Sequence, residues 1–168
     1  PKRAFVPATL PWLVAAGALL GYLLTLNHWL TLSSLPQVAR VASWEWQPSL
    51  VGPLHFLVTY PVRWLPEPWI PVALNVLAAI CGALTLALLA RSVALLPHDR
   101  TQPQRQLEHH EFSLLSIRAA WVPPLLAVLA CGLQMTFWEN ATVASSEMLD
   151  LLLFAYVIRC LLEYRIDQ

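Results

Sequence analysis

Between Arg3 and Arg40 the chain carries no Asp, Glu, Lys or Arg. Within that run, Leu10 to Leu30 reaches about 30 Å as a helix, the thickness of a bilayer's hydrocarbon core. A water-soluble domain of this size cannot bury such a segment on every side, so the run sets the class of the whole chain. Composition agrees: 58% of the 168 residues are apolar and 12% are charged, against roughly 25% charged in soluble domains. Zero net charge removes the electrostatic footprint of nucleic-acid binding. The apolar content removes disorder. Cys81, Cys131 and Cys160 lie far apart in apolar stretches without CxxC spacing, and they read as buried small residues rather than a disulfide framework or zinc site. The expectation is an all-α integral membrane protein, a polytopic helical bundle.

Three further apolar runs complete it. Residues 69–96 include Arg91, which can snorkel from the end of a span. Residues 119–138 have Pro123 and Pro124 in the first turns, where proline is tolerated. Residues 141–163 carry Glu147, Asp150 and Arg159. With the first run taken as 8–30, the pattern predicts four transmembrane helices in a single membrane domain over 1–168. Leu50 to Leu65 is shorter and is interrupted by Gly52, Pro53 and Pro61. It reads as an interfacial or re-entrant element in a long first outer loop.

Charge tests that assignment. If Leu50 to Leu65 does not cross, Lys2, Arg3, Arg91, Arg100, Arg105, Arg118, Arg159 and Arg165 share one side, with only Arg40 and Arg63 opposite. If it crosses, the asymmetry vanishes. The positive-inside rule therefore predicts cytoplasmic N and C termini, a cytoplasmic loop 97–118 and an outer segment 31–68. Trp29, Trp44, Trp46, Trp64, Trp69 and Trp138 mark the outer interface, and Trp12 and Trp121 the inner one. The chain opens at Pro1 and stops soon after an apolar run, which reads as a piece of a longer protein. Its expected partners are the bilayer, the remaining part of the same protein and other membrane subunits, with no nucleic acid.

Chemistry has three candidate places. In the outer segment, Ser33 to Ala42 reads as a short helix capped by Ser33 or Ser34, with Pro36 in its first turn. Trp44-Glu45-Trp46 follows, then His55. A carboxylate between two indoles at a membrane surface can serve as a general base or metal ligand beside a sugar platform; it can equally be a solvated acid in an interfacial aromatic belt. Glu147 and Asp150, three apart, share one helix face and join Glu139 as intramembrane carboxylates facing a wet cavity, or as acids in a first turn near the surface. Glu108-His109-His110-Glu111 lacks paired metal-ligand spacing and reads as a solvated loop. His28 and His55 read as interfacial hydrogen-bonders. No metal site is read, and no Walker loop, GxGxxG or GxSxG element is present.

Three stretches resemble a known group. They are SLPQVARVASWEWQPSLVGPLHFLVTYPVRWLP, ALNVLAAICGALTLALLARSV with its leading Asn75, and FWENATVASSEMLDLLLFAYVIRCLLEYR. The layout and these phrases resemble the N-terminal part of GT-C type membrane glycosyltransferases, in particular the bacterial DUF2723 family, similar to protein O-mannosyltransferases. The resemblance implies a bacterial inner-membrane transferase with an outer active site. It implies a polyprenyl-phosphate-linked sugar donor, with a divalent metal left open. The family's Asp-Ser-Gly-Glu-like motif after the first span reads here Leu32-Ser33-Ser34-Leu35-Pro36-Gln37, without an acid. Either Glu45 has taken over the acid's role, or this branch kept the fold and changed the chemistry.

Three function classes follow. In the enzyme, Glu45 is the catalytic residue, with Trp44, Trp46, His55, Glu147 and Asp150 binding substrate. In a non-catalytic scaffold or assembly subunit, the outer tryptophans and apolar element dock a partner or lipid. In a transporter fragment, Glu147 and Asp150 line an ion path.

Overall fold

The computed structural model describes residues 9–44, 52–96 and 121–166. Among these residues all regular structure is helical. The elements are α1 (Leu10–Leu24), α2 (Leu35–Val41), α3 (Pro53–Thr59), two 3-10 turns (Tyr60–Trp64 and Glu67–Trp69), α4 (Ile70–Leu95), α5 (Val122–Gly132), α6 (Met135–Thr142) and α7 (Glu147–Ile166).

The axis of the fold is α4. Its 26 residues extend about 39 Å, and among the described residues it is the one helix that alone is long and apolar enough to cross a membrane. Small residues let its neighbours come close. A Cβ on Gly82 would stand 3.1 Å from the Ala141 Cβ, so α6 lies against α4 there. A Cβ on Gly132 would meet Leu86 Cδ1 at 2.8 Å, marking the close crossing of α5. The core on this side gathers Tyr22, Leu86, Val128, Phe137, Ala141 and Met148 from five helices. Tyr22 stands edge-on to Trp138, ring centroids 5.0 Å apart.

Two apolar runs fold into less helix than their length allows. Within 8–30, α1 ends at Leu24, and Thr25 Oγ1 donates back to the Gly21 carbonyl at 2.9 Å. Asn27 Oδ1 then accepts the Trp29 amide at 3.0 Å, bending the chain away. Within 119–138, α5 and α6 meet at 71°. The break lies at Gln134, whose backbone is extended (φ −63°, ψ 131°). It follows Gly132, whose carbonyl accepts the Tyr22 hydroxyl at 3.3 Å instead of continuing the helical ladder. Together α5 and α6 are long and apolar enough for one broken span. The first turn of α7 holds Glu147 and Asp150, and its last turn Arg165.

The short helices between α1 and α4 dock on one end of α4. Ser34 is the N-cap residue of α2, with Pro36 in the first turn. Val38 and Val41 of α2 are buried against Ile70, Leu74 and Ala144. Gly52, at φ 85°, takes the left-handed turn that starts α3, a conformation that glycine adopts without strain.

Candidate functional site

Asn75 organises the end of α4 on which α2 packs. It is 2% exposed, and a carboxamide buried there must find partners for both its ends. Its Nδ2 donates to the Asn27 carbonyl, just past α1. Its Oδ1 accepts the Ala144 amide, between α6 and α7, at 2.7 Å. The Asn27 amide in turn donates to the Thr142 carbonyl at 3.4 Å. Two connections that leave the bundle are thereby tied to one side chain.

Beside this knot, a cleft of about 590 Å³ opens between the segment after α1 and helix α6. Asn27, His28, Trp29, Ser33, Trp138 and Glu139 are among its lining residues. Thr31 and Ser33 add hydroxyls to its lining, their oxygens 3.0 Å apart, and Thr31 Oγ1 also donates to the buried Ser34 Oγ at 3.0 Å. It combines hydroxyls, two indoles and a carboxylate, groups that suit a polyhydroxylated ligand.

The other side of the knot holds His55. The imidazole is half-buried, with the lining of one small cavity formed by Leu74, Ala144, Ser145 and Leu149. A second cavity joins it to Gln37, Arg40 and Thr59. Burial pushes the His55 pKa below its ordinary 6.5, Asp150 pulls it back up, and Arg40 adds to the lowering. The fold thus puts the His55 imidazole of α3 under the influence of the cation of α2 and of the first turn of α7. A neutral imidazole in that position can accept a proton.

Of the residues singled out in the sequence, Asp150 acts electrostatically on His55, although they are far apart in the chain. Asp150 and Glu147 are both exposed in the first turn of α7. Trp44 is exposed, its amide donating to the Ala39 carbonyl at 2.9 Å. Glu45 and Trp46 lie outside the described residues, as does Glu108-His109-His110-Glu111. His28 and Glu139 both line the cleft. Among the described residues no group of three or more His, Cys, Asp or Glu could hold a metal ion. Sequence reasoning missed Asn27, Arg40 and the bridging role of Asn75. The available signal was a lone carboxamide inside an otherwise apolar run, which needs partners from other helices.

Residues 52–168 match the Protein O-mannosyl-transferase TMEM260 N-terminal domain, over more than two thirds of the chain. The chain belongs to this family. The match begins at Gly52 and takes in α3 to α7, so His55, Asn75, Glu147 and Asp150 fall inside it. Glu45, Arg40 and the α1 side of the cleft fall outside. No curated protein and no solved structure matches the chain. Family membership supports a glycosyltransferase relationship and association with a membrane, to which the length and apolarity of α4 add.

Proposed function

We propose that the chain is the N-terminal membrane part of a GT-C type, DUF2723-like O-mannosyltransferase that moves a sugar from a lipid-linked donor at the outer face of a bacterial inner membrane. In this reading it is one membrane domain with four spans, 8–30, 69–96, 119–138 and 141–163, and cytoplasmic ends. Residues 31–68 form the outer loop, with 50–65 interfacial or re-entrant.

The observation that carries the reading is the cavity shared by His55 and Arg40 at the end of α4 where the outer segment packs, with Asp150 acting electrostatically on the imidazole, within a chain of an O-mannosyltransferase family. A half-buried imidazole whose pKa is lowered by burial, beside charged neighbours at the mouth of a helical bundle, supports a site where charge is handled. Glu45 takes the proton of an acceptor hydroxyl as that oxygen bonds to the donor's anomeric carbon. The bond from that carbon to the phosphate oxygen breaks, and the polyprenyl phosphate leaves with the electron pair. Trp44 and Trp46 give the sugar an apolar platform. His55, Glu147 and Asp150 hold the acceptor side, where fixed positions replace diffusion.

The test is Glu45→Gln in the intact protein, reconstituted with polyprenyl-phosphate mannose and a hydroxyl-bearing peptide. Loss of a general base lowers transfer by roughly a hundredfold or more, with thermal unfolding unchanged. Unaltered transfer removes Glu45 from catalysis. Absence of transfer by the unsubstituted protein as well leaves the scaffold reading standing.

A further inference from the structure

A groove of about 380 Å³ runs between α1 and α7. Leu84, Ala87 and Leu88 of α4 form its floor, and its apolar walls end at two arginines. Arg91 donates from Nη2 to Glu163 Oε1 at 2.9 Å. Arg159 donates from Nε to the same oxygen at 3.0 Å and from Nη2 to Oε2 at 3.4 Å. Both guanidiniums also line the groove.

One carboxylate cannot neutralise two guanidiniums, so these three residues carry a net positive charge beside an apolar channel. Trp12 and Tyr156 line the same groove and are exposed, 69% and 53%. Indole and phenol rings with one apolar and one polar end favour the headgroup level of a bilayer. The fold has therefore gathered an aromatic pair, a surplus cation and an apolar trough in one place, from three helices. Guanidinium matches the planar, two-oxygen face of a phosphodiester, and basic pockets between membrane helices bind anionic headgroups.

We propose that this groove is a binding site for an anionic phospholipid, its phosphodiester on Arg91 and Arg159 and an acyl chain along Leu84 and Leu88. The proposal rests on reading the chain as membrane-spanning. Glu163 holds the two guanidiniums side by side when no lipid is bound, because a bare pair would repel. An arriving phosphodiester competes with that carboxylate for the same N–H donors.

The experiment reconstitutes the intact protein in discs of phosphatidylcholine containing a minor fraction of phosphatidylglycerol, and counts co-purified lipid by native mass spectrometry. Phosphatidylglycerol is expected to be enriched on the protein. Arg91→Gln and Arg159→Gln each lower the enrichment about fivefold, and Arg91→Lys retains part of it. Glu163→Gln breaks the same ion pairs but raises the enrichment, because it frees both cations. A purely structural cluster predicts the opposite: all three neutralising variants lower the unfolding temperature and none changes lipid selection, which overturns the proposal. Equal retention of the two phospholipids overturns it too, as does displacement of phosphatidylglycerol by added polyprenyl phosphate at equal concentration. A protein that enters no disc and takes up no lipid refutes the membrane reading itself.

Discussion

The Asn75 side-chain oxygen accepts the Ala144 backbone N–H at 2.7 Å, across 69 positions of the chain. A buried carboxamide that holds a loop amide leaves both groups stranded if it is removed. With its Nδ2 on the Asn27 carbonyl, the same residue sets how the segment after α1 and the α6–α7 connection sit against α4. Both the polar cleft and the His55 cluster flank this knot.

Asn75→Leu is therefore expected to cost about 1–3 kcal/mol, the desolvation penalty of buried groups left without partners. Thermal unfolding of the intact protein in discs reads the loss. Asn75→Asp keeps an acceptor for Ala144 but cannot donate to Asn27, and it buries a carboxyl. It should be no more stable than Asn75→Leu. Wild-type stability in both variants would remove Asn75 from its bridging role.

Glycine positions separate close packing from mere flexibility. A Cβ at Gly132 meets Leu86 Cδ1 at 2.8 Å and the Tyr22 hydroxyl at 3.4 Å, and Leu86 is 1% exposed. Gly132→Ala should cost about 1–3 kcal/mol through overpacking, and Leu86→Ala in the same chain should recover part of that cost. At Gly17 a Cβ meets nothing within 4 Å. Gly17→Ala should stabilise α1 by about 0.5–1 kcal/mol. Denaturant or thermal unfolding of the three variants decides both claims.

His55 gives stability a pH dependence. Its folded pKa lies below the unfolded 6.5 because burial disfavours the imidazolium. Between the two values the unfolded chain binds more protons, so stability rises with pH across that window. The contribution is complete above 6.5 and is lost as pH falls through the window toward the folded value. His55→Gln should abolish this part of the slope. Asp150→Asn removes the one charge that raises the His55 pKa, so His55 should titrate still lower, as imidazole NMR shifts would report. A slope unchanged in His55→Gln would assign the dependence to another group.

Trp44 offers a test of the sugar platform that folding cannot confuse. Its ring is 55% exposed, so Trp44→Ala should change unfolding by no more than about 0.5 kcal/mol. If the indole stacks on the donor sugar, KM for the donor rises between about twofold and tenfold, as expected for 0.5–1.5 kcal/mol of aromatic contact. Unchanged KM would place the sugar elsewhere.

The start of α2 near Ser34 and Pro36 and the long apolar α4 were legible in the chain, whereas the last helix begins at Glu147 rather than at 141, which puts Glu147 and Asp150 in its first turn. The two legible features depend on residues within a turn or two of one another, or on a sustained apolar run. The breaks were harder to see. The end of α1 at Leu24 and the 71° bend at Gln134 lie inside runs whose hydropathy continues unbroken, and hydropathy registers neither the Asn27 side chain on the Trp29 amide nor the Tyr22 hydroxyl on the Gly132 carbonyl.

Local sequence determined that this chain is helical and apolar, where several helices begin, and which family it joins through residues 52–168. Only the tertiary structure decided which polar groups meet. Asn75 reaches Asn27 and Ala144, Glu163 is shared by Arg91 and Arg159, and His55 lies within the influence of Asp150. The physical reason is that α4 is apolar all round, so no stripe along it names its neighbours. Close approach at Gly82 and Gly132, and the need of each buried polar group for a partner, selected the packing instead.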